Sequence, residues 1–163
     1  MTSPKLDRID VNILVELQRN GRVTNADLAD AVGLSPSPCL LRVKRLQQAG
    51  FITGYNARIN LAKLGDTITV FVEVTLVEHR RENFVRFETT LHRFDEVVEC
   101  HLMSGGYDYL VKLVTPSLDV FQTIMETLLD SNAGISKYFS YIVVKSPIVK
   151  PEYPIRSLFS DLA

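Results

Sequence analysis

The chain has 163 residues, 46% of them apolar, enough for one ordinary domain or two small ones and too many for a disordered chain. A net charge of −1 excludes a protein that coats nucleic acid along its whole length, but the average hides a split. Residues 1–60 carry eight Lys/Arg against five Asp/Glu and residues 61–163 carry ten against fourteen, so the basic excess lies in front.

From Leu6, the stretch LDRIDVNILVELQRNG spaces Leu6, Ile9, Ile13, Leu14 and Leu17 as one helical face. Asp7 and Asp10 suit its positive end, and Gly21 lies past its C-terminus. TNADLADAVG predicts a second, short helix capped by Thr24 or Asn25, with Leu28, Ala29 and Val32 inward and a left-handed stop at Gly33. SPSPCLLRVKRL opens a third. Ser37 precedes Pro38 and is pushed out of the α region, which suits an N-cap, and the helix should run to Gln48 and stop at Gly50. At helical spacing Cys39, Leu40, Val43 and Leu46 form one stripe, while Leu41, Lys44, Arg45 and Gln48 point the other way. Three such helices, with a tight Gly-containing turn between the last two, make a helix-turn-helix unit. FITGYNARIN follows as an extended wing or linker strand.

The period then changes. TITVFVEVTL alternates Ile68, Val70, Val72, Val74 and Leu76 against Thr69, Phe71, Glu73 and Thr75, a half-buried strand. ENFVRFETTLHRF predicts a helix facing inward through Phe84, Val85, Phe87 and Leu91. EVVECHLMSGGYDYLVKLVT gives two strands around a Gly-Gly turn. SLDVFQTIMETLLDS is a helix capped by Ser117, with Phe121, Ile124, Leu128 and Leu129 apolar, and KYFSYIVVKS closes as a strand. The order βαββαβ is that of ferredoxin-like domains, with both helices on one face of an antiparallel sheet. The expected fold is therefore α+β, a helix-turn-helix domain over 1–60 and a ferredoxin-like domain over 61–163. The bare sheet face, with Phe71, calls for cover by a second subunit. The tail, with Pro147, Pro151 and Pro154, should be extended.

No apolar stretch reaches the roughly 20 residues of a membrane helix, and no signal-peptide pattern opens the chain, so a cytoplasmic protein is expected. Cys39 and Cys100 are far apart, and His79, His92 and His101 have no partner at metal-ligand spacing, so neither a metal site nor a cofactor is expected. No nucleophile elbow or phosphate-binding loop is present. The turn SGGYDY is more suggestive: Ser104, Gly105 and Gly106 let backbone N–H groups approach an anion, and Asp108 offers a carboxylate to an ammonium, complementing an amino-acid zwitterion. The alternative is a tight hairpin with a solvated aspartate, which composition alone favours.

LDRIDVNILVELQRNGR, LSPSPCL, RVKRLQQAGFITGY and ECHLMSGGYDYLVKL, in that order, resemble the Lrp/AsnC, or feast/famine, transcription regulators through about Val144. The resemblance implies an N-terminal winged helix-turn-helix for double-stranded DNA and a ferredoxin-like domain that dimerises and senses a small amino acid, with homodimers assembling further, often to an octamer. It matches Ser35, Ser37, Pro38, Arg42, Lys44 and Arg45 to DNA contacts, and Gly105, Asp108 and Tyr109 to the turn that approaches the effector. It adds Ser136, Tyr138 and Ser140 from the last strand. Family members frequently carry a charge where this chain has Leu41. That leucine either touches a thymine methyl in the major groove or is a tolerated exposed residue. The competing class is a sirohaem-decarboxylase-like enzyme, which resembles the same two-domain arrangement.

Overall fold

The computed structural model describes residues 5–159. Two compact units emerge: one runs to Arg58 and includes the chain from Ile148 onward, and the other is Ile59–Pro147. The tail, attached to the second domain in the sequence reading, thus belongs with the first.

The first unit holds α1 (Arg8–Arg19), α2 (Asn25–Val32) and α3 (Pro36–Gln48). Asp7 caps α1 in a reciprocal box: its side chain accepts from the Asp10 N–H at 2.9 Å, and the Asp10 side chain accepts from the Asp7 N–H at 3.1 Å. Thr24 caps α2, and Gly33 ends it at φ 71°, a left-handed turn that glycine adopts without the strain a Cβ brings. Ile13, Leu28, Ala29, Cys39 and Leu46 form the small core, with Leu6, Ile9 and Val43 packed on it. Two details differ from expectation and a third agrees with it. The N-cap of α3 is Ser35, with Pro36 in the first turn, and the Asn25 side chain grips the Pro36 carbonyl at 2.8 Å. Gly21 lies past α1 as expected, one residue beyond the Asn20 cap, and gives room to the Tyr55 ring, which a Cβ there would meet at 3.2 Å. Residues 52–60 join no sheet, so the segment expected as an extended wing or linker strand pairs with no other strand among the described residues.

The tail is not simply extended. It forms a short helix, α6 (Ile155–Leu158), and lies along α1. The Gln18 amide both accepts from the Tyr153 N–H (2.9 Å) and donates to the Tyr153 carbonyl (3.3 Å), and Arg156 donates to Asn12 at 2.9 Å.

In the second unit, after a single 3₁₀ turn at Leu61–Lys63, come β1 (Ile68–Leu76), α4 (Arg81–Leu91), β2 (Val97–Leu102), β3 (Tyr109–Thr115), α5 (Leu118–Asp130) and β4 (Ile135–Ile142). The antiparallel sheet has the order β2-β3-β1-β4, as βαββαβ chains form it. The alternation in β1 is obeyed: Val70, Val72, Val74 and Leu76 are buried with Val111 and Leu113 beneath Phe87 and Leu91 of α4 and Phe121, Ile124 and Leu128 of α5. Val85 and Leu129, expected inside, are 52% and 42% exposed; Met125 takes the core position on α5. On the bare face, Phe71 pairs across strands with Tyr141 and Lys112, and Glu73 with Phe139 and Leu110.

Candidate nucleic-acid interface and sensing turn

An α-helix turns about 100° per residue, so residues 37, 41, 44 and 48 of α3 form one ridge. Ser37, Leu41, Lys44 and Gln48 are all exposed, opposite the buried Cys39 and Leu46. Leu41 is 67% exposed, on the outward face as its spacing predicts. Lys44 has no acidic partner among the described residues, whereas Arg42 and Arg45 do. Ser35 makes no side-chain cap bond. Pro36 and Pro38 lack N–H groups, so Ser37 carries the spare backbone donor of the first turn.

Arg42 departs from the role its charge suggested. Its Nη1 donates to Asp7 at 2.6 Å and to Asp10 at 2.9 Å, and Arg45 donates to the other oxygen of Asp10. Asp10 is fully buried, and only 28% of the Arg42 side chain is exposed. Burial by itself would raise the Asp7 carboxyl, but the Asp10 N–H and the Arg42 guanidinium outweigh it and bring it below its ordinary value. Both carboxylates likewise raise the Arg42 guanidinium, chiefly through hydrogen bonds. The two arginines therefore bind α3 to the start of α1, and Arg45, with about half its side chain exposed, keeps more access to solvent.

The turn between β2 and β3 carries the other candidates. Ser104, Gly105 and Gly106 are exposed, and a Cβ at either glycine would meet nothing within 4 Å. Neither glycine takes a positive φ, so the backbone itself does not demand them. Asp108 is not a free carboxylate. It accepts from the Leu76 N–H at 2.7 Å and lies 2.9 Å from His79 Nε2, whose ring stacks on Phe84. His79 is thus the aspartate's neighbour, a pairing across 29 residues that no local spacing signals. Tyr138 pairs across β1 through Val74, which also faces Tyr109; Ser136 lies at that same end of the sheet and Ser140 nearer its middle. All three β4 residues are exposed.

Tyr109, which the resemblance matches to the effector turn, turns its ring into the core. It is 1% exposed, its ring lies 4.7 Å from that of Phe87, and its hydroxyl donates to Glu88 at 2.6 Å. Burial, and then the Glu88 carboxylate, push the phenol well above its ordinary value. Because the folded chain keeps the phenol neutral while the unfolded chain ionises it near pH 10, this stability is complete below about pH 10 and is lost as pH rises toward the folded value. Tyr109→Phe should therefore show a shallower fall in urea midpoint than the parent protein above about pH 10.

A groove of about 560 Å³ runs between the end of α4 and β2, lined by Glu88, His92, Glu99, Cys100, Leu102 and Tyr109 among others. Cys100 retains solvent access, yet crowding in the groove wall and then Glu88 push its thiol up to about 11, so it is protonated at neutral pH. Cys100 and His101 pair with Val111 and Leu110, on opposite sides of the sheet. Among the described residues no group of three His, Cys, Asp or Glu could hold a metal ion, and no helix is long and apolar enough to cross a membrane.

A helix-turn-helix unit with a free cationic ridge, joined to a βαββαβ unit with an open turn, is the architecture of a DNA-binding regulator with its own ligand-binding domain. The winged helix-turn-helix DNA-binding family matches residues 6–53, and the Lrp/AsnC ligand binding domain matches residues 69–153. The chain is 46% identical over 142 residues to the transcriptional regulatory protein DoeX of Halomonas elongata, covering 87% of this chain and 90% of that one. It is 43% identical over 140 residues to the leucine-responsive regulatory protein of Escherichia coli, covering 86% and 85%. A Neisseria meningitidis transcriptional regulator solved as an L-Met complex superposes with a TM-score of 0.86 at 31% identity, over 94% of this chain and 99% of that one. The chain belongs to the Lrp/AsnC family. It is a DNA-binding transcription regulator and not an enzyme, and the sirohaem-decarboxylase-like alternative has no support among these relatives.

Proposed function

We propose that this regulator is a cytoplasmic protein that senses a small amino acid and transmits its presence to DNA through assembly. The observation that carries the DNA half is the free ridge of α3, where Lys44 meets phosphate and Ser37, with Ser35 and Pro38 at the helix start, approaches the backbone. Arg45, half exposed on the flank of that ridge, adds positive potential toward phosphate while it stays bonded to Asp10. The sensing half draws on Ser104, Gly105, Gly106 and Asp108, with Ser136, Tyr138 and Ser140 from β4. Asp108 would attract the effector's ammonium while already holding His79, so binding displaces or shares the imidazole.

Phe139 and Tyr141, each more than half exposed beside Phe71, support cover of the sheet by a second copy, with homodimers assembling to an octamer. An effector that contacts two dimers at once favours the associated state by its differential affinity. Two measurements test the reading. In gel shifts, Lys44→Ala should lower the slope of log affinity against log salt by about one, the loss of one phosphate contact; an unchanged slope removes Lys44 from the interface. A thermal-shift panel of the common amino acids should show one or a few that raise the melting temperature, and the same ones should move the sedimentation profile; no shift with any of them refutes the sensing half.

A further inference from the structure

Given the DNA-binding role of the first unit, on which the inference rests, we propose that Arg42 is a positioning residue that aims α3, and that Gln48 reads a base edge from the ridge it shares with Ser37, Leu41 and Lys44. A recognition helix reads sequence only if its rotation about its own axis is fixed, because a small roll moves a side-chain tip by the width of a base edge. The apolar contacts of α3 constrain that roll weakly: Cys39 and Leu46 are its only fully buried side chains, and neither has directional bonds to α1.

The Asp7, Asp10, Arg42 and Arg45 cluster supplies the direction. Asp10 is fixed from one side by the capping box of α1 and from the other by two guanidinium groups one helical turn apart on α3. Arg42 bridges both carboxylates with one nitrogen. Pulling Arg42 out to a phosphate would strip a fully buried carboxylate of one of its two cations, so the residue is held where it is.

With Arg42 committed inward, the outward ridge has two long polar side chains, Lys44 and Gln48, and neither has a hydrogen-bond partner among the described residues. Lysine on phosphate carries no sequence information, whereas glutamine pairs with the N6 and N7 atoms of adenine through two bonds. The neighbouring Gln47, in contrast, is engaged with the Tyr55 hydroxyl at 3.3 Å.

The test uses the full chain and a duplex that the wild-type protein enriches from a random-sequence DNA pool, with each variant assayed below its own thermal transition. Arg42→Lys keeps the charge, but its nitrogen ends about one bond short of the Nη1 that reaches both Asp7 and Asp10, and it should weaken specific binding on the order of tenfold. Its salt slope should stay at the wild-type value. Asp10→Asn should weaken binding similarly, and the double variant no further, because both remove one aiming device. Gln48→Ala should lose about tenfold discrimination at one adenine position with no change in salt slope. Full affinity in Arg42→Lys, additive losses in the double variant, or an intact base preference in Gln48→Ala overturns the proposal while leaving the DNA-binding role in place. A wild-type chain that enriches no duplex removes both.

Discussion

Arg42→Met is expected to destabilise the helix-turn-helix unit by about 3 kcal/mol, the lower end of the range for removing one partner of a buried ion pair. The cause is what remains: a fully buried Asp10 facing Arg45 alone, with its capping bond to Asp7 intact. Methionine preserves most of the aliphatic packing, so the loss reports the charge rather than a cavity. Scanning calorimetry should place the transition of this unit lower by more than about 10 °C. Adding Asp10→Leu to Arg42→Met should recover part of the loss, because the stranded carboxylate is then gone. A double variant less stable than Arg42→Met would contradict this explanation.

Phe87→Ala should cost the sensing unit about 3–5 kcal/mol, the usual range for deleting a buried aromatic ring. Phe87 is fully buried beside Tyr109, beneath a sheet whose strands are held in register and cannot collapse into the space. Val85→Ala, two residues earlier on the same helix but half exposed, should cost less than about 1 kcal/mol. Urea titrations of the two variants separate the predictions, and equal losses would mean that α4 packs on a different face.

The sensing unit was the more legible half. Alternation in β1 and β3 needs only a period of two, and it places Val70, Val72, Val74, Val111 and Leu113 inside without knowledge of their neighbours. The same alternation puts the Tyr109 side chain with Val111 and Leu113, so its burial is legible beside its place at the edge of the turn. The cap of α3 was ambiguous because SPSP offers two Ser-Pro pairs that meet the same local rule. The choice of Ser35 goes with a hydrogen bond from Asn25, eleven residues before its acceptor. Arg42 shows the limit of reading charge along a chain. Its position at the margin of the apolar stripe was visible, but its carboxylate partners lie 35 and 32 residues upstream, and only the folded packing of α1 against α3 brings them together.

The return of residues 148–159 to α1 makes the DNA-reading unit discontinuous in the gene's order, with the whole sensor encoded between its two parts. During translation α1, α2 and α3 leave the ribosome first, and their outer cover arrives only after β4 has been made. A nascent chain released before Tyr153 would carry a reader whose Gln18 lacks its backbone partner, with the surface of α1 that the tail covers left open to solvent.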